Sequence, residues 1–410
     1  MNYQVLKRKR EHAVSLLKRM VSIRSSNPHV SDQDETELAG FLREELEGAG
    51  LHVDLQQVTS EYPRDFVENR TYTRPNVIAR MGKKGGVRLI LNGHLDTVAA
   101  NTMKRAFRPR VVADRLYGRG SSDMKGGIAS IVAAAEAVQE SDLSLEGELV
   151  LSLVVDEETI GQGTMDFLKR QRGDFVIVAE PTENTLGIAQ AGYIYFNVLS
   201  RGESRHGQTT IPQDWSSAFV QATNLCNRIL EDRFLIRKKR VQGVEMETTF
   251  NFSPTKYTPP SSYAWMTMEE FRVDCLLGLI PESTAAMSLR SSNAAMRRIE
   301  KLVYDANRNG QRSKIGRNSM NIGFIQKENS YTKAFEKAMA KVLGHHKRSY
   351  VLSFCDATHF YRANMPTILF GPGRMSLGHS SEEYTSVSQV KDATSVFAYE
   401  IESILACSTS

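Results

Sequence analysis

Four stretches of this chain read as buried β-strands that run straight into side chains able to hold a metal ion. VRLILNG ends at His94, GELVLSLVV at Asp156, Glu157 and Glu158, DFVIVA at Glu180, and PTILFGPG leads on to His379. In an open α/β sheet the functional groups collect at the carboxyl ends of the strands, so these four ends can converge on one crevice. Two histidines and several carboxylates are the donors a hydrolytic divalent-metal site needs. Asp123 completes the set, following RLYGRGSS and preceding the helical run IASIVAAAEAV.

Taken singly, these residues have plainer readings. His94 and Asp96 form an H-x-D pair in LNGHLDTV, where residues two apart on extended chain share a face, so the carboxylate can sit behind the imidazole and fix its tautomer. Asp123 in GRGSSDMKGG also suits a helix N-cap. Glu157 and Glu158 in VVDEETIGQGT read equally as a solvated acidic loop, yet adjacent side chains diverge, which suits one to metal binding and the other to base catalysis. Glu180 in VAEPTE is a lone acid at a strand end. His379 lies in FGPGRMSLGHSSEEY, a glycine-rich loop that can bring backbone N–H groups near a ligand. His345 and His346 follow a helix-ending glycine and read as solvated, and His359 sits in the helix-like CDATHFYRA as a structural residue.

The elements that must position these groups follow from length and pattern. At 410 residues, two domains are expected, and 41% hydrophobic with 24% charged residues is ordinary globular composition. The four cysteines, Cys226, Cys275, Cys355 and Cys407, form no CxxC pair, which argues against a zinc ribbon or a disulfide scaffold and for reduced thiols of a cytoplasmic protein. The N-terminal MNYQVLKRKREHAVSLLKRMV reads as a surface helix, and no run approaches the roughly 20 apolar residues of a membrane span. A net charge of +5 without an aromatic stacking pattern does not indicate nucleic-acid binding. The basic run IRKKR is expected near the end of a helix over 214–235.

Helices and strands alternate up to about residue 188, the signature of an α/β sheet wrapped by helices. From Gly192 the pattern becomes strand, helix, two strands, helix, strand, the order of a ferredoxin-like split unit over 190–324. The α/β pattern then resumes. The expected domains are therefore 1–189 with 325–410, interrupted by 190–324.

As an ordered set, NGHLDTV, GRGSSDMKGG, DEETIGQGT, AEPTE and FGPG followed by GHSSEEY closely resemble the co-catalytic metal amidohydrolase and exopeptidase family of acetylornithine deacetylase, succinyl-diaminopimelate desuccinylase, aminoacylase and carboxypeptidase G. The resemblance runs from LLKRMVSIRSSNP to GHSSEEYTSV, nearly the whole chain. It implies an α/β exopeptidase-like catalytic domain with an inserted ferredoxin-like lid that dimerises. It implies two divalent ions per subunit, zinc first and cobalt or manganese as alternatives: one on His94, Asp123 and Glu180, the other on Asp123, Glu158 and His379. It makes Glu157 the general base, Asp96 the partner of His94, and Asp123–Met124 a cis peptide. His206 matches a lid histidine that reaches the partner subunit's site in dimeric relatives, although Pro212 follows it at greater distance than is usual.

Many relatives carry a carboxylate-clamping arginine where this chain has Leu276, and Arg272, Arg290 and Arg374 are the candidates to replace it. The implied activity is N-deacylation of a small amino-acid-like substrate. A dipeptidase or carboxypeptidase, a deaminase-like amine hydrolysis, and a non-catalytic homologue are the alternatives.

Overall fold

The strands aimed at metal ligands lie side by side and run the same way. The computed structural model describes residues 1–28, 33–61, 71–206, 217–257 and 266–406, apart from the side chains of residues 317 and 318. In it, Glu148–Val154, Arg88–His94, Phe175–Val178 and Thr367–Leu369 are neighbours in that order. Each adjacent pair is parallel. Parallel pairing puts all four carboxyl ends on one edge of the sheet. Thr71–Gly82 and His52–Glu61 extend one side antiparallel, and Leu186–Gln190 the other. Every residue of Glu148–Val154 and Phe175–Val178 is buried, which explains their continuous rather than alternating apolar pattern.

Helix Gly126–Glu140 is buried along its length from Gly126 to Val138 and packs against helices Tyr3–Ser22 and Val387–Leu405. Its alanines let those helices approach closely, while each fully buried Ile or Val contributes about 1.5–3 kcal/mol. Its first turn presses on the strand end that carries Glu180: a Cβ at Gly127 would lie 1.9 Å from the Ala179 carbonyl. Only glycine fits there.

The described residues form two compact units: 1–188 with 326–349 and 355–410, and 189–325 with 350–354. The sequence reading placed 350–354 in the first. Tyr350 instead packs on the small apolar cluster of Ala189, Met246, Ile280 and Ile325. Within the second unit, strands Thr249–Tyr257, Glu270–Leu279, Gly192–Arg201 and Ser313–Asn321 form an antiparallel sheet in that order. Helices Ala218–Leu230 and Ala285–Arg308 share a core with this sheet, around Phe196, Val198, Leu225, Val273 and Ile299. In chain order the strands lie second, third, first, fourth, as in a ferredoxin-like fold.

Two expectations are corrected, and one element is added. Helix Ala218–Leu230 ends before IRKKR, and Lys238–Val241 pairs with Val244–Glu247 as a hairpin whose two-residue turn, Gln242 and Gly243, has positive φ at both positions. Asp123 does not cap a helix: it is extended, at φ −118° and ψ 97°, and the regular helix begins at Gly126. The chain also forms a small sheet of Arg110–Val112, Arg115–Tyr117 and Tyr384–Ser386 that the sequence pattern did not indicate. Among the described residues no helix is long and apolar enough to cross a membrane.

Glu400, on the last helix, is fully buried, and neither carboxylate oxygen has a hydrogen-bond partner among the described residues. Burial pushes its pKa well above the ordinary 4.5. The folded chain thus retains a proton here that the unfolded chain releases, so this group lowers stability progressively as pH rises from the ordinary value through the raised one. Glu400→Gln should therefore differ little from the parent in Tm near about pH 4 and become increasingly the more stable toward about pH 8. A Tm difference that stays flat across this range would show that Glu400 does not titrate as stated.

Candidate metal centre

His94 ends its strand with Nε2 3.1 Å from Asp123 Oδ1. On the far side of the ring, Nδ1 lies 2.9 Å from the Asp96 backbone carbonyl and 3.5 Å from that residue's carboxylate. Asp96 has a second task. Its carboxylate accepts the backbone N–H groups of Glu157 at 3.1 Å and Glu158 at 3.0 Å, tying the acidic turn to the His94 strand. His379 approaches from the opposite side, its Nε2 2.9 Å from Glu158 Oε2 and 3.4 Å from Asp123 Oδ2. Asp123 therefore offers one oxygen to each histidine.

The acidic turn is held by Asp156, whose φ of +74° costs a non-glycine residue strain on the order of 1–3 kcal/mol. Its carboxylate is pinned by Asn27 Nδ2 at 3.0 Å, Ser60 Oγ at 2.9 Å and Arg74 Nη2 at 3.3 Å. Arg74 is itself buried and paired with Glu35 at 2.8 Å. These contacts set the turn from which Glu157 and Glu158 project.

Asp123, followed by a cis peptide to Met124, is oriented through its backbone. The buried Glu383 carboxylate accepts the N–H of Ser122 at 3.0 Å and of Asp123 at 3.1 Å, and the Arg119 guanidinium at 2.5 Å. Space is tight on the other side, where a Cβ at Gly378 would lie 2.7 Å from Asp123 Oδ2. Three amides of the glycine-rich loop before His379 are engaged within the protein. Gly371 N–H donates to Thr182, Gly373 N–H to Gln389, and Arg374 N–H to Ser122.

The electrostatics call for a cation. Burial first, and then the neighbouring carboxylates, push Glu157 well above its usual range and Glu180 up to about 8; Glu158 is raised as well. Asp123 and Glu158 raise His379 to about 10. Burial works against a charged His94, but Asp123, Asp96 and Glu157 outweigh it and hold the imidazole well above its usual pKa. Glu158 Oε1 is buried without a hydrogen-bond partner among the described residues. Buried carboxylates in such number are tolerated when paired or when they coordinate metal, and mixed His and carboxylate donors suit a borderline divalent ion. Two triples bring single donor atoms within 4.8 Å of one another: His94, Asp123 and Glu180, and Asp123, Glu158 and His379. The residues fit two ions that share Asp123.

The structure thus gathers His94, Asp96, Asp123, Glu157, Glu158, Glu180 and His379 at one sheet edge. Arg374 is exposed and engaged by Glu183 at 2.7 Å. In the second unit, His206 forms an isolated bridge with Met266, and Arg290 is exposed on helix Ala285–Arg308. Leu276 is 46% exposed on strand Glu270–Leu279, where Arg272 pairs with Asp274 at 3.3 Å. Pro212 lies outside the described residues. His345 and His346 are exposed after Gly344, and His359 is held near pKa 4 by burial.

Sequence reasoning passed over Asp356. It is fully buried and close enough to Glu157 and Glu180 to raise them, and it accepts the Thr164 hydroxyl at 2.6 Å. Its place before helix Ala357–Arg362 looks in sequence like an ordinary N-cap. Glu383 and Arg119 were visible only as parts of motifs.

A parallel sheet edge bearing two carboxylate–histidine triples around a shared aspartate defines an α/β metallohydrolase. The family model for Peptidase family M20/M25/M40 matches residues 90–403, and the chain belongs to that family of metal-dependent hydrolases. A Peptidase M20 domain-containing protein of Schizosaccharomyces pombe is 27% identical over 388 residues, covering 93% of this chain and 82% of its own length. Acetylornithine deacetylase of Proteus mirabilis is 24% identical over 382 residues, 91% of each chain. The solved structure of the dipeptidase Dug1p from Saccharomyces cerevisiae shares the fold at TM-score 0.72 and 15% identity, covering 98% of this chain and 97% of that one.

Because Glu383 aligns Asp123, Glu383→Gln should weaken metal binding by about 10–100-fold although the substituted side chain would touch no ion. It should also cost roughly 3–5 kcal/mol of stability by leaving Arg119 buried without its counter-charge. Chelator competition and urea unfolding read the two effects. Unchanged metal affinity would remove Glu383 from the support of Asp123.

Proposed function

We propose that this enzyme hydrolyses the amide-type C–N bond of a small N-acylated, amino-acid-like substrate, using two divalent ions per subunit, zinc first and cobalt or manganese as alternatives. The observation that carries this reading is the pair of ligand triples sharing Asp123, with Glu157 beside them and in neither. Glu157 Oε2 lies 4.0 Å from His94 Nε2. When bound, the ions supply Lewis acidity that polarises the substrate carbonyl and acidifies water in the site.

The proton work falls to side chains. Burial and the neighbouring Glu180 and Asp356 raise Glu157, which suits it to take a proton as the water oxygen attacks the carbonyl carbon. As the C–N bond breaks, Glu157 passes that proton to the leaving nitrogen. Asp96 fixes the His94 ring through Nδ1, so Nε2 stays turned to the centre. Similarity to acetylornithine deacetylase of Proteus mirabilis across 91% of both chains supports the deacylase reading.

Dimerisation through residues 190–324, with His206 serving the partner's site, belongs to the same proposal and is supported by the sequence resemblance. We also place the enzyme in the cytoplasm, on the strength of buried cysteines at positions 226 and 275 that form no disulfide among the described residues; recovery of the native protein in a secreted fraction would overturn that. Neither nucleic acid nor membrane enters this reading.

Chelation should abolish turnover and divalent metal restore it. Glu157→Gln should keep its metal content yet lose about 10²–10⁴-fold in kcat, since it removes the base and no ligand. Normal turnover by this variant would refute the base assignment. Mixed with inactive His206→Ala protein under subunit exchange, it should regain partial activity, because one site of each heterodimer is then intact. No recovery, with exchange verified by mass, would confine His206 to its own subunit or to no role.

Leucine at position 276 offers apolar surface where an arginine would clamp a carboxylate, and Arg272 and Arg374 are already engaged. Losing one charged hydrogen bond costs roughly 1.5–3 kcal/mol. Free N-acetyl amino acids should thus be poorer substrates in kcat/KM than their amides or aryl analogues. A preference for the free acid that disappears in Arg290→Ala or Arg374→Ala would show that the clamp has moved, and cleavage of dipeptides alone would favour a dipeptidase.

A further inference from the structure

Away from the centre at Asp123, three helices of the first unit bring a second set of metal donors together. His12 stands on Tyr3–Ser22, Glu45 on Thr36–Gly48 and Glu136 on Gly126–Glu140. His12 Nε2 lies 3.1 Å from Glu45 Oε1 and 3.3 Å from Glu136 Oε2, and one donor atom from each of the three falls within 4.8 Å of the others. Around a tetrahedral ion with ligand bonds of about 2.0–2.2 Å, adjacent donors stand roughly 3.3–3.6 Å apart. The two separations from His12 need to open by only a few tenths of an ångström, and the two carboxylates lie within 4.8 Å of each other.

Two further observations point to a ligand. Glu136 is 2% exposed, and its Oε1 has no hydrogen-bond partner among the described residues. The cluster also faces a cavity of about 340 Å³, lined by Lys9, His12, Arg19, Phe41, Glu45 and Glu136, which gives an ion and a completing water a way in. Competing cations are close but not prohibitive. Arg19 binds Glu45 through its other oxygen, Oε2, at 3.0 Å, so Oε1 still faces His12. Lys9 holds Glu136 Oε2 at 2.8 Å, but Glu140 Oε2 is only 3.7 Å from the same ammonium and can receive it.

We propose that His12, Glu45 and Glu136 form a peripheral divalent-metal site of zinc type, separate from the catalytic centre, that clips three helices together. Each ligand comes from a different helix, so an ion there restrains the packing of all three and stabilises the folded chain by mass action. The site does not depend on which substrate the enzyme cleaves or on how Glu157 acts.

The test compares full-length parent, His12→Gln and Glu45→Gln proteins, each equilibrated with buffered free zinc at about 10 μM and analysed for zinc per chain and for Tm. His12 and Glu45 are solvent-accessible, so both variants should fold and keep the parent's kcat/KM. The parent should hold one more zinc per chain than either variant and gain more in Tm on zinc addition. Equal zinc content in all three would overturn the proposal. So would a difference that appears only at millimolar zinc, which would mark the cluster as an adventitious ion site.

Discussion

Asp123 is buried beside Glu158 and Glu180, with Glu157 and Asp356 close to Glu180, and this crowding of carboxylates away from water is the constraint the first unit is organised around. An uncompensated buried carboxylate costs several kcal/mol even after relaxation, a large part of the 5–15 kcal/mol that a folded domain has in hand. Two imidazoles turned onto the two oxygens of Asp123 offset part of the charge. Divalent cations held by these residues would offset the rest, and the same positive charge would serve the chemistry. Stability and chemistry thus draw on one interaction.

That arrangement persists only because the surrounding structure over-determines it. Parallel strands deliver His94, the acidic turn and Glu180 to one edge, but the edge alone does not aim them. The acidic turn is aimed by Asp156, held in a strained conformation by Asn27, Ser60 and Arg74, and by Asp96 gripping the two following amides. Asp123 is aimed by Glu383, which grips its amide in the same manner. Both devices use a buried carboxylate to hold backbone rather than to touch a ligand. The acids of the metal centre stand on a second layer of acids, and that layer is closed by the buried arginines Arg74 and Arg119.

The second unit is built on a different principle. Its core is an ordinary apolar interface between one antiparallel sheet and two helices, with no buried ion network of comparable density among the described residues. Family membership settles that the chain is a metal-dependent hydrolase, while the polar and apolar groups around the substrate settle what it cleaves. The helix layer of the first unit carries a smaller version of the same theme at Glu136, a buried acid held between cationic and imidazole neighbours.

The sequence by itself determined the elements whose signals are local. Continuous apolar runs ending in His94, Asp156 and Glu180 marked parallel strands, because a strand buried on both faces has no reason to alternate. The strand and helix order from Gly192 to Asn321 marked the ferredoxin-like unit, and the motif set marked the metal-ligand residues. What only the tertiary structure decided depends on partners distant in the chain. Asp356 and Glu383 look like an N-cap and a loop acid until folding buries them beside Glu157 and Asp123. Asp96 looks like a partner for His94 alone until the acidic turn, some sixty residues on, is folded against it. The last three residues of IRKKR enter a hairpin strand because Val244–Glu247 is there to pair with them, and local helical pattern cannot report that. Hydrophobic periodicity records which face of an element is buried. It carries no record of which charge will be waiting there, since electrostatic partners are chosen by proximity in space rather than along the chain.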